Sequence, residues 1–89
     1  MNENSLEKEI IAIVADISGF EPEEITPKSK LAADLEIDSI KAIEIVVAIE
    51  KKYKVSVRDE DVPKISTVSD TVAVVRKLLD QEPVSNVRS

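Results

Sequence analysis

Helical spacing of apolar residues in three segments limits the fold of this chain more than any other feature. Residues 6–17 and residues 68–79 each place their apolar side chains on one helix face. A middle segment begins at Asp38 or Ser39, ends near Tyr53 and is apolar over more than half of its circumference. Because one neighbouring helix needs a narrower stripe, we expect this helix to be central in a bundle or to touch something besides protein. The sequence therefore predicts an all-α domain.

Signals at the helix ends agree with these segments. Asn4 with Glu7 three residues later is typical of a helix start, and Thr67 with Asp70 forms the same kind of pair before the last helix. Gly19 stands where a left-handed residue would end the first helix.

The connections carry weaker signals. The stretch FEPEEITPKSKLAADLEI is long for a loop inside a compact domain, so we expect its apolar residues to pack it down, namely Phe20, Ile25, Leu31 and Leu35. The stretch YKVSV alternates like a strand but has no partner strand, and we predict a loop there. The stretch RDEDVPKI offers at most one helical turn.

The length of 89 residues fits one small domain. We expect this domain to cover residues 1–80. The remaining residues 81–89, QEPVSNVRS, have no apolar pattern, and we expect them to form a disordered tail.

Composition excludes several classes of function. The chain has no His and no Cys, so the usual Ser-His and Cys-His nucleophile pairs and the usual zinc sites are absent. The lone Gly19 excludes a glycine-rich phosphate loop. The net charge of −6 argues against a nucleic-acid partner, and the whole excess lies in residues 1–36, which hold nine acids and three bases. We expect a protein that is not an enzyme.

The location is expected to be cytoplasmic, with no membrane contact. No apolar run has the length of a membrane span, and the first residues, MNENSLEKEI, lack the basic and apolar regions of a signal peptide. The absence of cysteine fits a reducing compartment.

Ser39 has three possible roles in the segment LEIDSIK. Asp and Ser are favoured residues for capping a helix, so the dipeptide alone indicates a cap. The acids Asp34, Glu36 and Asp38 also suggest a calcium loop, but its glycine position holds Ser39 and its final glutamate position holds Ile45. The third role is a point of covalent attachment.

The stretch DLEIDSIKAIEIVVAIEKKYKVSVRDEDVPKISTVSDTV resembles the central part of acyl carrier proteins, where a D-S-L at the start of the second helix carries the prosthetic group. The similarity extends from the first helix to about Leu79 and includes the long first loop. The resemblance implies a small four-helix bundle of three main helices and one short helix III. It also implies that residues 1–80 are a carrier domain, that 4′-phosphopantetheine is attached to Ser39, and that Asp38 caps the helix.

Three features depart from the family pattern. The motif is D-S-I, and Glu36 replaces the usual glycine, so we expect a backbone without positive φ at Glu36. Lys41 follows the motif, while Lys51 and Lys52 stand where many members have acids. The segment IDSIKAIEI is similar to carrier domains of polyketide and polyunsaturated fatty acid synthases, which implies a specialised member of the family.

Further expectations follow from the resemblance. An acyl pocket is expected to be lined by Val46, Ile49, Val62 and Ile65. Partner recognition is expected at Ile40, Lys41, Glu44 and Lys51. The expected partners are a phosphopantetheinyl transferase that uses coenzyme A and enzymes of the ketosynthase, acyltransferase or acyl-ligase type, and the protein itself is expected to be a monomer without a metal.

Two alternatives stay open beside the acyl carrier of fatty acid, polyketide or related lipid biosynthesis. One is a carrier-like interaction module that works by docking with Ser39 unmodified. The other is a carrier of aminoacyl or peptidyl groups on the same arm.

Overall fold

The computed structural model describes the backbone of residues 3–88 and the side chains of residues 5–80. Its elements in chain order are helix α1 (Glu3–Ser18), the 3-10 turn η1 (Pro22–Glu24), helix α2 (Ser39–Tyr53), the 3-10 turn η2 (Val62–Lys64) and helix α3 (Val68–Arg88). No strand occurs within residues 3–88, where Lys30 and Thr67 form an isolated antiparallel bridge. The predicted bundle of three main helices is confirmed, and its short third helix is the single turn η2.

The helix ends follow the local chemistry of the sequence. Gly19 has a φ of 86°, and its N–H donates to the carbonyl of Ala15 at 2.9 Å, which ends α1 as predicted. Thr67 and Asp70 each donate a backbone N–H to the other's side chain at 3.1 Å, so the predicted capping pair is confirmed. The expected start at Asn4 is wrong by a small margin, because α1 begins at Glu3 and Asn4 lies inside its first turn.

Helix α1 is the common support of the bundle, since it packs against both α2 and α3. The core that these helices share is built from aliphatic residues, among them Leu6, Ile10, Val14, Ile45, Ile49, Val68 and Val75. At the edge of this core the Tyr53 O–H donates to Glu9 Oε1 at 2.6 Å and joins α2 to α1. Burial and this hydrogen bond to a carboxylate raise the pKa of Tyr53.

The long connection between α1 and α2 is packed down by its own apolar residues, as predicted. Ile25, Leu31 and Leu35 are buried and Phe20 is half-buried. The Leu31 N–H donates to the carbonyl of Ser66 at 3.0 Å, which ties this loop to the segment before α3. The packing of this loop therefore fixes the position at which α2 starts.

The last helix extends past the predicted end of the folded domain. The bounds of α3 are Val68–Arg88, whereas the sequence predicts a disordered tail from residue 81. Side chains of residues 81–89 lie outside the described part of the chain, and the division at residue 80 stays a prediction.

Candidate functional site

Ser39 is the first residue of α2. The cap of this helix is the preceding residue, Asp38, and not Ser39. Asp38 has an extended backbone with φ −86° and ψ −175°, and its Oδ1 accepts the backbone N–H of Lys41 at 2.9 Å. The Ser39 side chain is exposed and makes no hydrogen bond to another residue in the described part of the chain. Capping and attachment are therefore separable, because the cap leaves the hydroxyl of Ser39 free for chemistry.

The surroundings of Ser39 suit a phosphate group. The first turn of a helix presents backbone N–H groups that lack partners within the helix, and the helix dipole is positive at that end. A phosphodiester on Ser39 would lie beside these groups.

Glu36 corrects one expectation from the sequence. Its φ is 55°, a left-handed conformation, although we expected no positive φ without the family's usual glycine. The chain closes a turn here, since the Ile37 N–H donates to the carbonyl of Leu31 at 2.9 Å while Leu35 and Ile37 on either side are both buried. A turn closed in this way holds the intervening residue in the left-handed region, which costs a non-glycine residue roughly 1–2 kcal/mol.

Two apolar cavities lie between α2 and η2, and one of them borders Ser39. The outer cavity has a volume of about 450 Å³ and is bordered by Ser39, Ile43, Val57 and Asp59. The inner cavity has a volume of about 300 Å³ and is bordered by Leu31, Ile37, Ile45 and Ile65. Both are also bordered by the same three residues, Ala42, Val46 and Val62.

The predicted pocket residues divide between these cavities and the core. Val46 and Val62 border both cavities, and Ile65 borders the inner one. Ile49 is fully buried in the core and is not among the residues that border either cavity. Sequence reasoning missed Val57 and Ala42, although Ala42 belongs to the same apolar face as Val46.

An exposed apolar stripe runs along α2 from Ser39. It consists of Ile40, Ile43 and Val47, which are large apolar residues left on the surface. Ile40 was predicted for partner recognition, whereas Ile43 and Val47 were counted only as part of the wide apolar face. Of the charged residues predicted for the same role, Glu44 and Lys51 are exposed and Lys41 is half-buried.

An ion pair between a buried aspartate and an exposed lysine joins the start of η2 to α3, and sequence reasoning missed it. Asp61 is fully buried, and its Oδ1 lies 3.1 Å from the Lys77 Nζ and 3.8 Å from the Lys64 Nζ. The hydrogen bond from Lys77 holds the pKa of Asp61 below its ordinary value, against the opposing effect of burial. The other oxygen, Oδ2, has no hydrogen-bond partner in the described part of the chain.

Comparison with known proteins identifies the family. A family described as "Phosphopantetheine attachment site" matches residues 8–75. The meromycolate extension acyl carrier protein of Mycobacterium bovis is 43% identical over 81 residues, covering 86% of this chain and 70% of that protein. The chain belongs to the acyl carrier protein family. This carrier has 4′-phosphopantetheine as its covalent cofactor.

Other relatives agree with this membership. The acyl carrier protein of Rhodococcus erythropolis is 45% identical over 76 residues, which cover 81% of this carrier and 84% of that protein. The solution structure of the apo doublet acyl carrier protein from prodigiosin biosynthesis superposes with a TM-score of 0.73. It shares 23% sequence identity, and the match covers 83% of this carrier but 36% of that longer chain, so it supports the fold alone.

Metal binding and membrane crossing have no structural counterpart in the described residues. No group of three or more His, Cys, Asp or Glu side chains among the described residues is arranged to hold a metal ion. Within the same residues, no helix combines the length and the apolar character that crossing a membrane requires.

Proposed function

We propose that Ser39 carries the 4′-phosphopantetheine and that this carrier serves fatty acid, polyketide or related lipid biosynthesis. One observation carries the proposal. Ser39 has an exposed hydroxyl on the first residue of a helix whose cap is made by Asp38, and it opens onto an apolar cavity. The bound arm supplies a thiol to which acyl groups are joined as thioesters.

The attachment needs a separate transferase. Ser39 Oγ would form a bond to the phosphorus that bears the pantetheine part of coenzyme A, and adenosine bisphosphate would leave. The hydroxyl proton would go to a base of the transferase. The Ser39 hydroxyl donates to no base of this carrier within the described residues, so the transferase would supply that base.

The test is the intact mass of the protein after incubation with coenzyme A and a broad-specificity phosphopantetheinyl transferase. The wild type is expected to gain one phosphopantetheine and Ser39→Ala none. Ser69→Ala is the matched control, because Ser69 is also exposed and lies in the first turn of α3. Modification of Ser39→Ala, or loss of modification in Ser69→Ala alone, would contradict the proposal.

The exposed stripe on α2 is the proposed contact for partner enzymes. Contiguous apolar side chains left on a surface usually mark an interaction site, and Ile40, Ile43 and Val47 lie on the same helix as the attachment site. We propose that ketosynthase, acyltransferase or acyl-ligase partners cover this stripe when the arm enters their active sites. The alternative of a docking module with unmodified Ser39 would use the same stripe, and a purified native protein that is wholly without the arm would favour it.

Charge on α2 supports a dedicated partner. Residues 38–54 carry three acids and four lysines, and Lys51 is exposed one turn after Val47, at the edge of the stripe. A basic partner surface would be repelled there, whereas an acidic one would associate faster. Lys41 is half-buried, so Lys51 is the more direct residue to test.

The measurement for this charge effect is elongation of the acyl-loaded carrier by a ketosynthase of general fatty acid synthesis. We expect Lys41→Asp combined with Lys51→Glu to raise the rate over wild type, and Lys51→Glu alone to give most of the gain. Lys28→Glu is the control, since Lys28 is exposed in the first loop, away from α2. Equal rates for wild type and the acidified variants would remove the case for specialisation.

The cytoplasmic location and the monomeric state stay predictions.

A further inference from the structure

Another cavity lies between η2 and α3, and we call it the α3 cavity. It has a volume of about 220 Å³ and is bordered by Lys64 of η2 and by Asp70, Ala73, Val74 and Lys77 of α3. None of these residues borders the two cavities beside α2. The α3 cavity is therefore separate from the surroundings of the attachment site.

Two lysine ammonium groups are brought together at this cavity by one carboxylate. Asp61 is fully buried, and its Oδ1 lies 3.1 Å from the Lys77 Nζ and 3.8 Å from the Lys64 Nζ. Because both lysines approach the same oxygen, their ammonium groups are neighbours, and one carboxylate offsets only one of the two charges. The mouth of the cavity is therefore locally positive, although the net charge of the chain is −6.

The two lysines are held to different degrees. Lys77 donates a hydrogen bond to Asp61, and the full burial of that carboxylate fixes where the ammonium lies. The distance of 3.8 Å from Lys64 to the same oxygen is too long for a hydrogen bond, and the Lys64 side chain is 61% exposed. A cation that is already held in place loses less conformational entropy when it binds an anion. Lys77 is therefore a preorganised cation beside a more adaptable one.

The size and the lining of the α3 cavity fit one acidic side chain. Sites for small molecules usually have volumes of roughly 300–1,000 Å³, so this cavity suits a smaller group. Ala73 and Val74 offer apolar contact to methylene groups, and the two lysines offer charged hydrogen bonds to a carboxylate. Asp70, whose Oδ2 accepts the Thr67 N–H at 3.1 Å, would repel a doubly charged phosphate more strongly than a carboxylate.

The exposed surface of η2 connects this cavity to the apolar stripe on α2. Val62, the first residue of η2, is 43% exposed and borders the same outer cavity as Ile43 of the stripe. Lys64 is the last residue of the same turn. A protein that covers Ile43 and Val62 would therefore come within reach of Lys64.

From this geometry we propose that Lys64 and Lys77 form a second contact for a ketosynthase that covers the stripe. The ketosynthase places the side chain of an aspartate or a glutamate between the two ammonium groups. A charged contact on a second element fixes the orientation of the partner, and hence the direction in which Ser39 faces it. The inference rests on the proposed role of the stripe and does not require that Ser39 be modified.

The first experiment is cross-linking with a water-soluble carbodiimide, which joins a carboxylate to a lysine amine as an amide and takes up the water that is lost. The probe is a purified ketosynthase that binds the unmodified carrier. We expect peptides in which Lys64 or Lys77 is joined to an aspartate or a glutamate of the ketosynthase. Cross-links at other lysines alone would overturn the proposal, and so would products at Lys64 that join only two copies of the carrier.

Matched variants measure the contribution of this contact to binding. Lys64→Glu is expected to raise the Kd for the ketosynthase about fivefold, and Lys64→Gln is expected to raise it by less. Lys77 is left unchanged, because its loss would leave the carboxylate of Asp61 buried and unpaired. Lys28→Glu makes the same charge change at an exposed position of the first loop, and its Kd is expected to match that of wild type.

A charge swap tests the identity of the partner group. Replacing the cross-linked acid of the ketosynthase by lysine is expected to restore the affinity for Lys64→Glu. Thermal midpoints verify that both Lys64 variants are folded. A Kd for Lys64→Glu equal to that of wild type, or an equal rise in Lys28→Glu, would overturn the second contact.

Failure of this inference is distinguishable from failure of the proposed function. If Ile43→Asp weakens binding and Lys64→Glu does not, the stripe stands and the second contact is wrong. If neither variant weakens binding, both contacts are wrong. The attachment at Ser39 is decided separately by intact mass, because the binding measurements use the unmodified carrier.

Discussion

On helix α2, Ile45 and Ile49 are 1% and 0% exposed, whereas Ile40 and Ile43 are 68% and 62% exposed. All four are isoleucines on one helix of 15 residues. The buried pair anchors the helix in the bundle, whereas the exposed pair keeps most of its apolar surface in water. The contrast teaches that one helix supplies both the fixed position of Ser39 and the surface that a partner would cover.

The largest effect on the free energy of unfolding is expected for a buried isoleucine of α2. Ile49→Ala leaves a cavity in the core and is expected to lower the free energy of unfolding by about 2–5 kcal/mol. Ile43→Ala is the matched control on the exposed face, where surface changes are usually within about 0.5 kcal/mol. Urea titration measures both. Similar losses in the two variants would show that the exposed face also supports the fold.

Substitutions on the exposed face of α2 should weaken the binding of partner enzymes and leave the stability of the fold unchanged. Ile43→Asp is expected to lower kcat/KM for a ketosynthase that elongates the loaded wild type by about tenfold, because about 1.4 kcal/mol of apolar contact corresponds to that factor. Its unfolding midpoint should match that of wild type. The control is Ala73→Asp, which changes an exposed position on α3. A kcat/KM equal to that of wild type would mean that partners do not cover the stripe.

The ion pair of Asp61 with Lys77 extends the comparison to the dependence of stability on pH. Because Lys77 lowers the pKa of Asp61 in the folded protein, the pair stabilises the fold above the ordinary aspartate pKa of about 3.9. The contribution is lost as pH falls through the lower, folded value. We expect Asp61→Asn to lower the thermal midpoint by a few degrees at pH 7, and the difference from wild type to shrink below about pH 4. Glu60→Gln is the control, since Glu60 is exposed, and a gap for Asp61→Asn that is constant at every pH would contradict the account.

The smallest effect is expected at Glu36, on the loop that leads to α2. Glu36→Gly removes the strain of the left-handed backbone, and after the entropy of glycine is subtracted the gain is about 0.5–1 kcal/mol. Glu36→Ala keeps the strain and should leave stability nearly unchanged. Chemical denaturation separates the two. A glycine variant no more stable than the alanine one would show that φ at this position carries no cost.

The helices and the attachment residue could be predicted because their signals are local. Apolar spacing marks α1 and α3, the Thr67–Asp70 pair marks a helix start, and Gly19 marks an end. The resemblance added Ser39 through a short motif. Each of these depends on residues that are close together in the sequence.

The rest depends on contacts between distant residues. The Asp61–Lys77 pair joins positions 16 residues apart, and nothing in the local pattern distinguishes Asp61 from its acidic neighbours. Ile49 shares a helical face with Val46, yet the depth of packing against α1 places it in the core and not at a cavity. Glu36 adopts a positive φ inside a turn that the Ile37 N–H closes on the carbonyl of Leu31, and no pattern in the sequence marks that bond.

The most direct test of the central claim uses the sequence around Ser39 itself. Trypsin cleaves after Lys30 and Lys41, and the resulting peptide LAADLEIDSIK contains Ser39 as its one hydroxyl residue. After modification with coenzyme A and transferase, fragment masses of the digest would assign the arm without mutation. The account predicts that the whole mass increase lies on this peptide. An unmodified peptide of residues 31–41, with the increase on any other peptide, would contradict it.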